Sequence, residues 1–326
     1  MYQGKNKLIF RKLEITDRQI VNRAVRYADS MSCQVSFANL YCLSCKYNTQ
    51  ICISQGVLYI RQSKRDEDLY WAYLLPMKIP EESSECQNNH SMDWLYRAID
   101  KIRKEAHSAG KRLMFFGVTE DMKELILKEE KGWFHAQENR DWADYIYLSE
   151  KMISLSGKHL ATKRKGYNKF MRDYGERITI SEIKAENIEE VRDFQKKWME
   201  NNNMNTEEKL SLGWENESIN IALDSFKALG LKGIVIYIDN RVAAYSYGQS
   251  VTDKVFDVIV EKGDYRYPNI YRAINRFFVM YCCKEYKYIN REEDIGLAGL
   301  RQAKMRYQPE LLLKKYNLYE YGDQRL

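Results

Sequence analysis

Two groups of charged residues in the last third of the chain could carry acid–base chemistry. The first, EKGD at 261–264, follows the β-rich run 255–260, and the second, NREED at 290–294, follows the run 286–289. If these strands are parallel neighbours, both groups lie at the sheet edge where open α/β folds bind ligands. Charges held there can have shifted pKa values and serve as general acids or bases. The pattern predicts one shared cleft, with ordinary loop charge as the alternative.

The residue types in these groups suggest roles in an acyl-transfer reaction. Glu261 is the candidate general base, Tyr265 the candidate proton donor to the leaving oxygen, and Arg291 the cation that holds a phosphate or stabilises the oxyanion. Six further polar residues are predicted to bind or position substrate: Lys262, Asp264, Asn290, Glu292, Arg301 and Lys304. For the last two, a solvated helix face with internal ion pairs is the alternative.

A basic segment with interleaved aromatic residues occurs earlier in this half, at 163–172. Its cations include Lys163, Arg164 and Lys169, which could contact a nucleic-acid backbone or an anionic lipid surface. The net charge of the chain, 52 − 46 = +6, also favours an acidic partner. A solvated helix face is the simpler interpretation of this segment.

The composition excludes several classes of protein. Proline (4) and glycine (16) are too scarce among 326 residues for a low-complexity or collagen-like chain. The longest apolar runs have seven residues, whereas a membrane span needs about 20. The first residues lack the apolar core of a signal peptide. We therefore expect a cytoplasmic protein, with peripheral membrane association as an option.

The cysteines do not predict a metal site. Seven is an odd number, which argues against a disulfide framework. Cys42 and Cys45 have the spacing of half a zinc site, but no second pair follows at the spacing of a zinc ribbon. We expect buried thiols and no metal, with a zinc site as the alternative.

One order of elements is predicted twice along the chain: a meander, a helix, a parallel strand, a second helix and a last strand. The strands are predicted at 51–60, 69–77, 112–118 and 143–148 in the first copy, and at 232–238, 242–248, 255–260, 286–289 and 311–319 in the second. This is the order of the GNAT (acyl-CoA N-acyltransferase) fold. The predicted class is α/β with α+β mixed sheets, in two tandem GNAT-like domains at 1–155 and 156–326, the second carrying the site. A single large α+β domain is the alternative.

The loop expected to hold a coenzyme A pyrophosphate is poor in glycine. Backbone N–H groups at a helix start grip such a group, and glycines let the chain approach it. In the second half, Gly263 precedes this loop and Pro268 lies within it, where proline removes one N–H donor. The residues therefore favour a donor other than acetyl-CoA, although a few N–H groups could still hold that cofactor.

Four segments carry a resemblance to a known family: SFANLY at 36–41, EKGDYRY at 261–267, IYRAIN at 270–275 and INREEDIGLAGLRQAK at 289–304. The chain resembles a bacterial family of uncharacterised proteins grouped with the C-terminal domain of phosphatidylglycerol lysyltransferases. The resemblance implies tandem GNAT-like domains, similar to Fem-type peptidoglycan aminoacyltransferases. The lysyltransferase relatives move an aminoacyl group from aminoacyl-tRNA onto a lipid head group. This sequence shows none of their membrane-spanning segment, and Leu43 stands where the pattern has a tryptophan.

The leading hypothesis is an acyl- or aminoacyltransferase that moves an activated acyl group onto an amine or a hydroxyl. The residues fix no cofactor; aminoacyl-tRNA is the favoured donor and acetyl-CoA the less favoured one. The expected acceptor is a small molecule or a lipid head group. Two alternatives stay open: a non-catalytic GNAT-like binding module for a charged small molecule or RNA, and an acetyl-CoA-dependent N-acetyltransferase.

Overall fold

Two mixed β-sheets organise the computed structural model, which describes residues 7–67, 69–81, 92–200 and 206–322. The strands are β1 (Arg11–Lys12), β2 (Thr49–Ser54), β3 (Val57–Gln62), β4 (Tyr70–Tyr73), β5 (Met77–Lys78), β6 (Arg112–Thr119), β7 (Phe134–Glu138), β8 (Asp144–Leu148), β9 (Ile178–Glu182), β10 (Lys232–Ile238), β11 (Arg241–Ser250), β12 (Val255–Gly263), β13 (Tyr288–Asn290), β14 (Leu311–Leu313) and β15 (Lys315–Glu320).

Twelve α-helices lie in the same described ranges. They are α1 (Arg18–Tyr27), α2 (Phe37–Cys42), α3 (Ser44–Tyr47), α4 (Asp93–Ser108), α5 (Glu120–Glu129), α6 (Ser149–Ser154), α7 (Ala161–Tyr174), α8 (Ile188–Glu200), α9 (Thr206–Asp224), α10 (Phe226–Leu229), α11 (Ile270–Phe278) and α12 (Ala298–Met305). None of these helices combines the length and the apolar composition needed to cross a membrane.

The first sheet has the strand order β1-β2-β3-β4-β6-β15-β7, and β5 pairs with β3. β4 and β6 run parallel, with Tyr70 opposite Arg112. Helix α4 covers this sheet with Leu95, Ile99 and Ile102, which are buried in its core. Their spacing of three and four residues forms one apolar stripe because an α-helix has about 3.6 residues per turn.

The second sheet has the strand order β14-β8-β13-β12-β11-β10-β9. β12 and β13 run parallel with Val255 opposite Tyr288, as the sequence predicted. Helix α11 packs on this sheet through Ile270 and Ile274 and continues as a π-helical turn over Val279–Cys283. The loop that leaves β13 therefore runs beside the last residues of β12, which is the arrangement the predicted cleft requires.

Two strands pair in sheets that their order along the chain did not predict. β8, expected at the end of the first half, pairs antiparallel with β13 in the second sheet. The predicted strand 311–319 divides at Lys314 into β14, in the second sheet, and β15, between β6 and β7 of the first. An apolar run specifies a strand but not its neighbour, so the sequence order misassigned both.

The chain divides into two compact units, in agreement with the strand pairing of the two sheets. The first contains the described residues of 1–30, 43–143 and 313–326, and the second those of 31–42 and 144–312. The units interleave along the chain, and their segments differ from the single boundary predicted between 155 and 156.

Two hairpin turns differ in how strongly their residues predict a turn. The predicted strand 51–60 is in fact the hairpin of β2 and β3, turning at Gln55 and Gly56 with φ of 53° and 71°. Asp239 and Asn240, between the predicted strands 232–238 and 242–248, turn between β10 and β11 with φ of 50° and 62°. Both turns need two residues with positive φ, and glutamine before glycine is a weaker signal for that than aspartate before asparagine.

Candidate active site

A β-bulge in β12 determines which side chains reach the candidate site. Between Val258 and Val260 the register with β11 shifts, so that Ile259 lies opposite no partner residue. One extra residue turns the side chains that follow it to the other face of the sheet. Glu261 therefore shares a face with Val258 and meets Asn275 of α11. Strict alternation would place residues three apart on opposite faces.

The Glu261 carboxylate has a partner on each oxygen. Arg291 Nη2 donates to Oε1 at 3.0 Å, and Asn275 Nδ2 donates to Oε2 at 3.1 Å. The side chains of Glu261 and Arg291 are each 13% exposed, so the ion pair is largely withdrawn from solvent without being sealed. Burial alone would lower the pKa of Arg291, but the charge of Glu261 raises it. The structure thus brings together the two residues at the centre of the predicted cleft.

Two tyrosines surround the Arg291 guanidinium. Its Cζ lies 5.2 Å from the ring centre of Tyr307 and 5.8 Å from that of Tyr147. Lys163 Nζ lies 3.9 Å from the same Tyr307 ring, a cation–π distance. Burial raises the pKa of Tyr307 to about 12, so its phenol stays neutral near pH 7.

Lys163 shares its surroundings with three arginines. Burial lowers the pKa of Lys163 to about 8, and repulsion from Arg291, Arg272 and Arg306 acts in the same direction. Glu261 is the carboxylate that opposes this repulsion. Within the described part of the chain, Lys163 forms no ion pair. The charges that act on Lys163 are thus three arginines against one carboxylate, an imbalance that favours an anionic ligand.

A glycine on α7 makes room for one of these arginines. A Cβ added to Gly166 would lie 1.6 Å from Arg272 Nη1, so a side chain at this position would displace the guanidinium. Arg272 Nη1 also donates to Asn269 Oδ1 at 2.7 Å. We call the following residues the Glu261 site: Glu261, Asn275, Arg291, Tyr147, Tyr307, Lys163, Arg272 and Arg306.

A network of buried polar side chains lies on the opposite face of β12. Asn290 Nδ2 donates to Asp144 Oδ2 at 2.9 Å. Asn39 Nδ2 lies 2.8 Å from Glu292 Oε1 and 3.2 Å from Asp257 Oδ2. Because these carboxylates meet donors inside the protein, Asn290 and Glu292 are tied to the interior, and their substrate-binding role stays a prediction. We call the following residues the Asp144 network: Cys33, Asn39, Asp144, Asp257, Asn290, Glu292, Glu293 and Lys304.

Cys33 joins this network as a polar participant. Its Sγ donates to Asp144 Oδ1 at 3.1 Å and lies 3.4 Å from Glu293 Oε1. The thiol is buried, as expected, but among carboxylates rather than apolar side chains. In the described part of the chain, these three residues are the group whose ligand-type atoms, within 4.8 Å of one another, could hold a metal ion.

Lys304 fixes the loop that carries Arg291. Its Nζ donates to the backbone oxygen of Arg291 at 2.6 Å and also to that of Glu293. Burial lowers the pKa of Lys304, and it raises that of Glu292 to about 8 with help from the charge of Glu293. The predicted substrate-binding role of Lys304 stays a prediction, because the contacts observed are to the protein backbone.

The predicted binding residue Lys262 lies on a different face from Glu261. Its Nζ lies 2.9 Å from both carboxylate oxygens of Glu215 on α9 and 3.9 Å from the ring centre of Trp198. The bulge that turns Glu261 toward α11 turns Lys262 away from it. Its role with substrate also stays a prediction.

Three other predicted residues are engaged elsewhere in the second unit. Asp264 Oδ2 accepts from Arg266 Nη2 at 2.6 Å, and Arg301 binds Asp294 through two hydrogen bonds of 2.8 and 2.9 Å. Although burial opposes it, the Arg301 pair holds the pKa of Asp294 well below its usual range. The Tyr265 side chain is 70% exposed, and its ring centre lies 5.2 Å from that of a neighbouring tyrosine on α11.

The basic segment on α7 divides into different environments. Lys163 is half-buried in the Glu261 site, whereas Lys169 is exposed. Arg164 Nη1 donates to the backbone oxygens of Leu155 and Gly157. The segment therefore does not form one continuous surface, and its nucleic-acid or lipid contacts stay a prediction.

The sequence did not identify Asn275, Asp144 or Tyr307 as site or network residues. Asn275 meets Glu261 across 14 positions of the chain, and Asp144 meets Asn290 across 146. Such contacts leave no local pattern. An asparagine beside the apolar stripe of α11 is the one signal that could have drawn attention to Asn275.

Comparison with known proteins supports a family assignment. A family model described as "Phosphatidylglycerol lysyltransferase, C-terminal" matches residues 26–319. A conserved protein of unknown function from Bacteroides thetaiotaomicron is 28% identical, with 97% of this chain and 100% of that chain covered and a TM-score of 0.87. The structure of L-PGS from Bacillus licheniformis is 14% identical, covers 88% of this chain and 92% of that chain, and gives a TM-score of 0.59.

A curated relative, an uncharacterised protein from Mycoplasmoides gallisepticum, is 21% identical over 185 residues, or 53% of this chain. The chain spans about half the length of that relative (54%). The structural similarities confirm the predicted fold class, a mixed α/β architecture, which is shared with these relatives. The family model covers most of the chain, and the protein therefore belongs to the phosphatidylglycerol lysyltransferase C-terminal family.

Proposed function

We propose that this protein is an acyl- or aminoacyltransferase whose reaction takes place at Glu261 and Arg291. The supporting observation is the Glu261 carboxylate, held by Arg291 on one oxygen and Asn275 on the other beside an excess of cations. A carboxylate fixed in this way can take the proton of an attacking amine or hydroxyl. Membership of a transferase family supports the same reaction class.

The proposed step is attack of the acceptor on an activated ester. The acceptor nitrogen or oxygen forms a bond to the acyl carbon, the ester C–O bond breaks, and the acceptor proton passes to Glu261 and then to the leaving oxygen. The Arg291 guanidinium would stabilise the negative charge on the carbonyl oxygen in the transition state. Its two tyrosine neighbours keep it in place for this role.

The cations of the site suggest that a substrate carries phosphate. The charges of Arg291, Arg272 and Arg306 act on Lys163, and these cations would bind a phosphate of the donor or of the acceptor. Aminoacyl-tRNA is the donor we propose, and a phosphate-bearing head group or small molecule is the acceptor. The start of α11 has Asn269 in a left-handed conformation and no glycine, which makes acetyl-CoA the less favoured donor.

A transfer assay with the full chain tests this proposal. Radiolabelled aminoacyl-tRNA would be mixed with vesicles that contain phosphatidylglycerol, or with soluble phosphate-bearing acceptors, and labelled product measured. We expect product from the wild type and a loss of about 100-fold or more in Glu261→Gln, because a missing general base costs at least that much. Equal melting temperatures of the two proteins would exclude unfolding as the cause.

Two results would contradict the proposal. Undiminished transfer by Glu261→Gln would remove this carboxylate from the reaction. Tight tRNA binding by the wild type without any transfer would support the non-catalytic binding module instead. Transfer from acetyl-CoA but not from aminoacyl-tRNA would keep the reaction class and change the donor.

A further inference from the structure

Asn275 carries a buried acceptor that no described residue uses. The side chain is 2% exposed on α11, and its Nδ2 is committed to Glu261 Oε2. Among the described residues, its Oδ1 has no hydrogen-bond partner. Buried carbonyl oxygens without a donor are rare in native proteins, and each one needs an explanation.

The orientation of this amide follows from its neighbour. An ionised carboxylate only accepts hydrogen bonds, so the Asn275 NH₂ group must face Glu261. Turning the amide over would set two acceptor oxygens against each other. The unused Oδ1 is therefore fixed beside the carboxylate that we propose as the general base.

Counting donors shows which ligand group fits this pair. A carboxylate has about four lone-pair positions, so Glu261 can accept one more hydrogen bond in addition to those from Arg291 and Asn275. With Asn275 Oδ1, the site then offers two acceptors side by side. A hydroxyl has one hydrogen to donate, whereas a neutral primary amine has two.

We propose, on the basis of the transferase function above, that the acceptor is a primary amine whose two N–H bonds are shared between Glu261 and Asn275. The amine nitrogen attacks the acyl carbon, the C–N bond forms and the ester C–O bond breaks. One N–H proton passes to Glu261 and on to the leaving oxygen. The other proton remains on the nitrogen of the product amide, and this N–H group stays hydrogen-bonded to Asn275 Oδ1.

The charges of the site agree with this assignment. Lys163, Arg272, Arg291 and Arg306 outnumber the single carboxylate, and nearby cations disfavour the protonated form of an amine. A neutral amine is the form that can attack an ester. The Glu261 side chain is 13% exposed, so its carboxylate is not sealed from solvent.

Three soluble acceptors test the proposal with the wild-type protein and aminoacyl-tRNA. They are 2-aminoethyl phosphate, 2-(methylamino)ethyl phosphate and 2-hydroxyethyl phosphate. The first two are both nucleophilic amines, but the second has only one N–H. We expect kcat/KM to be about tenfold or more higher for the primary amine than for the secondary amine, because one hydrogen bond is lost.

The variant Asn275→Leu completes the test, since leucine has a similar size and no acceptor. We expect its preference for the primary over the secondary amine to fall to within about threefold, together with a lower overall rate. Asn39→Leu is the matched control, because it also removes a buried asparagine from the second unit. It is expected to keep the tenfold preference.

The outcomes separate this inference from the proposed function. Transfer to the hydroxyl acceptor at least as fast as to the primary amine would overturn the inference and leave the transferase proposal standing. Equal reaction of the primary and secondary amines with the wild type would also overturn the inference and leave the transferase proposal standing. If the protein transfers an acyl group neither to any of the three acceptors nor to phosphatidylglycerol vesicles, the inference and the transferase proposal are both overturned.

Discussion

The two faces of β12 carry polar groups of opposite charge balance. In the Glu261 site, Lys163 is repelled by three arginines and attracted by one carboxylate, and a buried amide oxygen has no partner in the described residues. In the Asp144 network, the charges of Glu292, Glu293 and Asp144 act on the buried Lys304. The amides of Asn39 and Asn290 donate hydrogen bonds to carboxylates of the same network. Asp144, Asp257 and Glu292 each accept a hydrogen bond from a donor inside the network, whereas the cations of the site outnumber its carboxylate. We therefore expect the network to stabilise the fold and the proposed substrate to bind at the Glu261 site.

The largest effect is expected from Arg291→Met. Loss of the guanidinium removes the cation that faces the developing oxyanion, so kcat/KM for transfer should fall about 100- to 1000-fold. Arg103→Met in the first unit is the matched control, since Arg103 is also buried, paired with Glu130 and stacked near Trp133. Its transfer rate should stay within about threefold. Similar losses in the two variants would remove the distinction between the Glu261 site and other buried ion pairs.

Asn39→Leu should act on stability instead. Its amide lies within hydrogen-bond distance of Glu292, Asp257 and the backbone oxygen of Cys33, so these acceptors lose a donor. We expect the free energy of unfolding to fall by about 3 kcal/mol, as measured by urea denaturation at pH 7. The folded fraction should retain the wild-type kcat. A large fall in kcat without loss of stability would move Asn39 from the network to the reaction.

Glu292 should make the free energy of unfolding change with pH in the direction opposite to that caused by most acidic residues. Its pKa is raised to about 8 by burial and by the charge of Glu293, against a usual value of 4.5. Between these values the folded state binds more protons than the unfolded state, so stability should fall as pH rises from 4.5 to 8. Glu292→Gln should flatten this slope in urea titrations. A wild-type slope of the opposite sign would show that Glu292 is ionised in the folded protein.

The smallest effect concerns Lys163, whose pKa of about 8 lies near neutral pH. As pH rises from 7 to 9 the lysine loses its charge, and affinity for inorganic pyrophosphate should fall about threefold in calorimetric titrations. Lys163→Met should remove this pH dependence. Lys169→Met, an exposed lysine on the same helix, should preserve it. An equal pH dependence in both variants would exclude Lys163 from anion binding.

The sequence predicted the parts of the site that depend on strand ends. Apolar runs located β12 and β13, and the charges that follow them led to Glu261 and Arg291, which do meet. It could not predict the bulge at Ile259, because a bulge depends on pairing with β11. Lys262 was expected to share the site with Glu261, but successive residues of a strand point to opposite faces, and Lys262 meets Glu215 instead.

The fold shows the same limit. The order of elements was sufficient to predict a mixed α/β fold with two sheets, because hydrophobic periodicity is a local property. The sheet in which β8 or β15 pairs is decided by contacts with distant strands. Asp144, at the start of β8, was therefore not recognised as a neighbour of Asn290.

The position of β15 has a consequence for the order in which the chain can fold. This strand separates β6 from β7 in the first sheet, yet a ribosome makes it after every strand of the second sheet. During synthesis, the edges of β6 and β7 that pair with β15 have no partner strand until residues 315–320 emerge. The N-terminal unit would thus be the last to close, and a nascent chain stalled before that strand would expose two unpaired edges to chaperones and to aggregation.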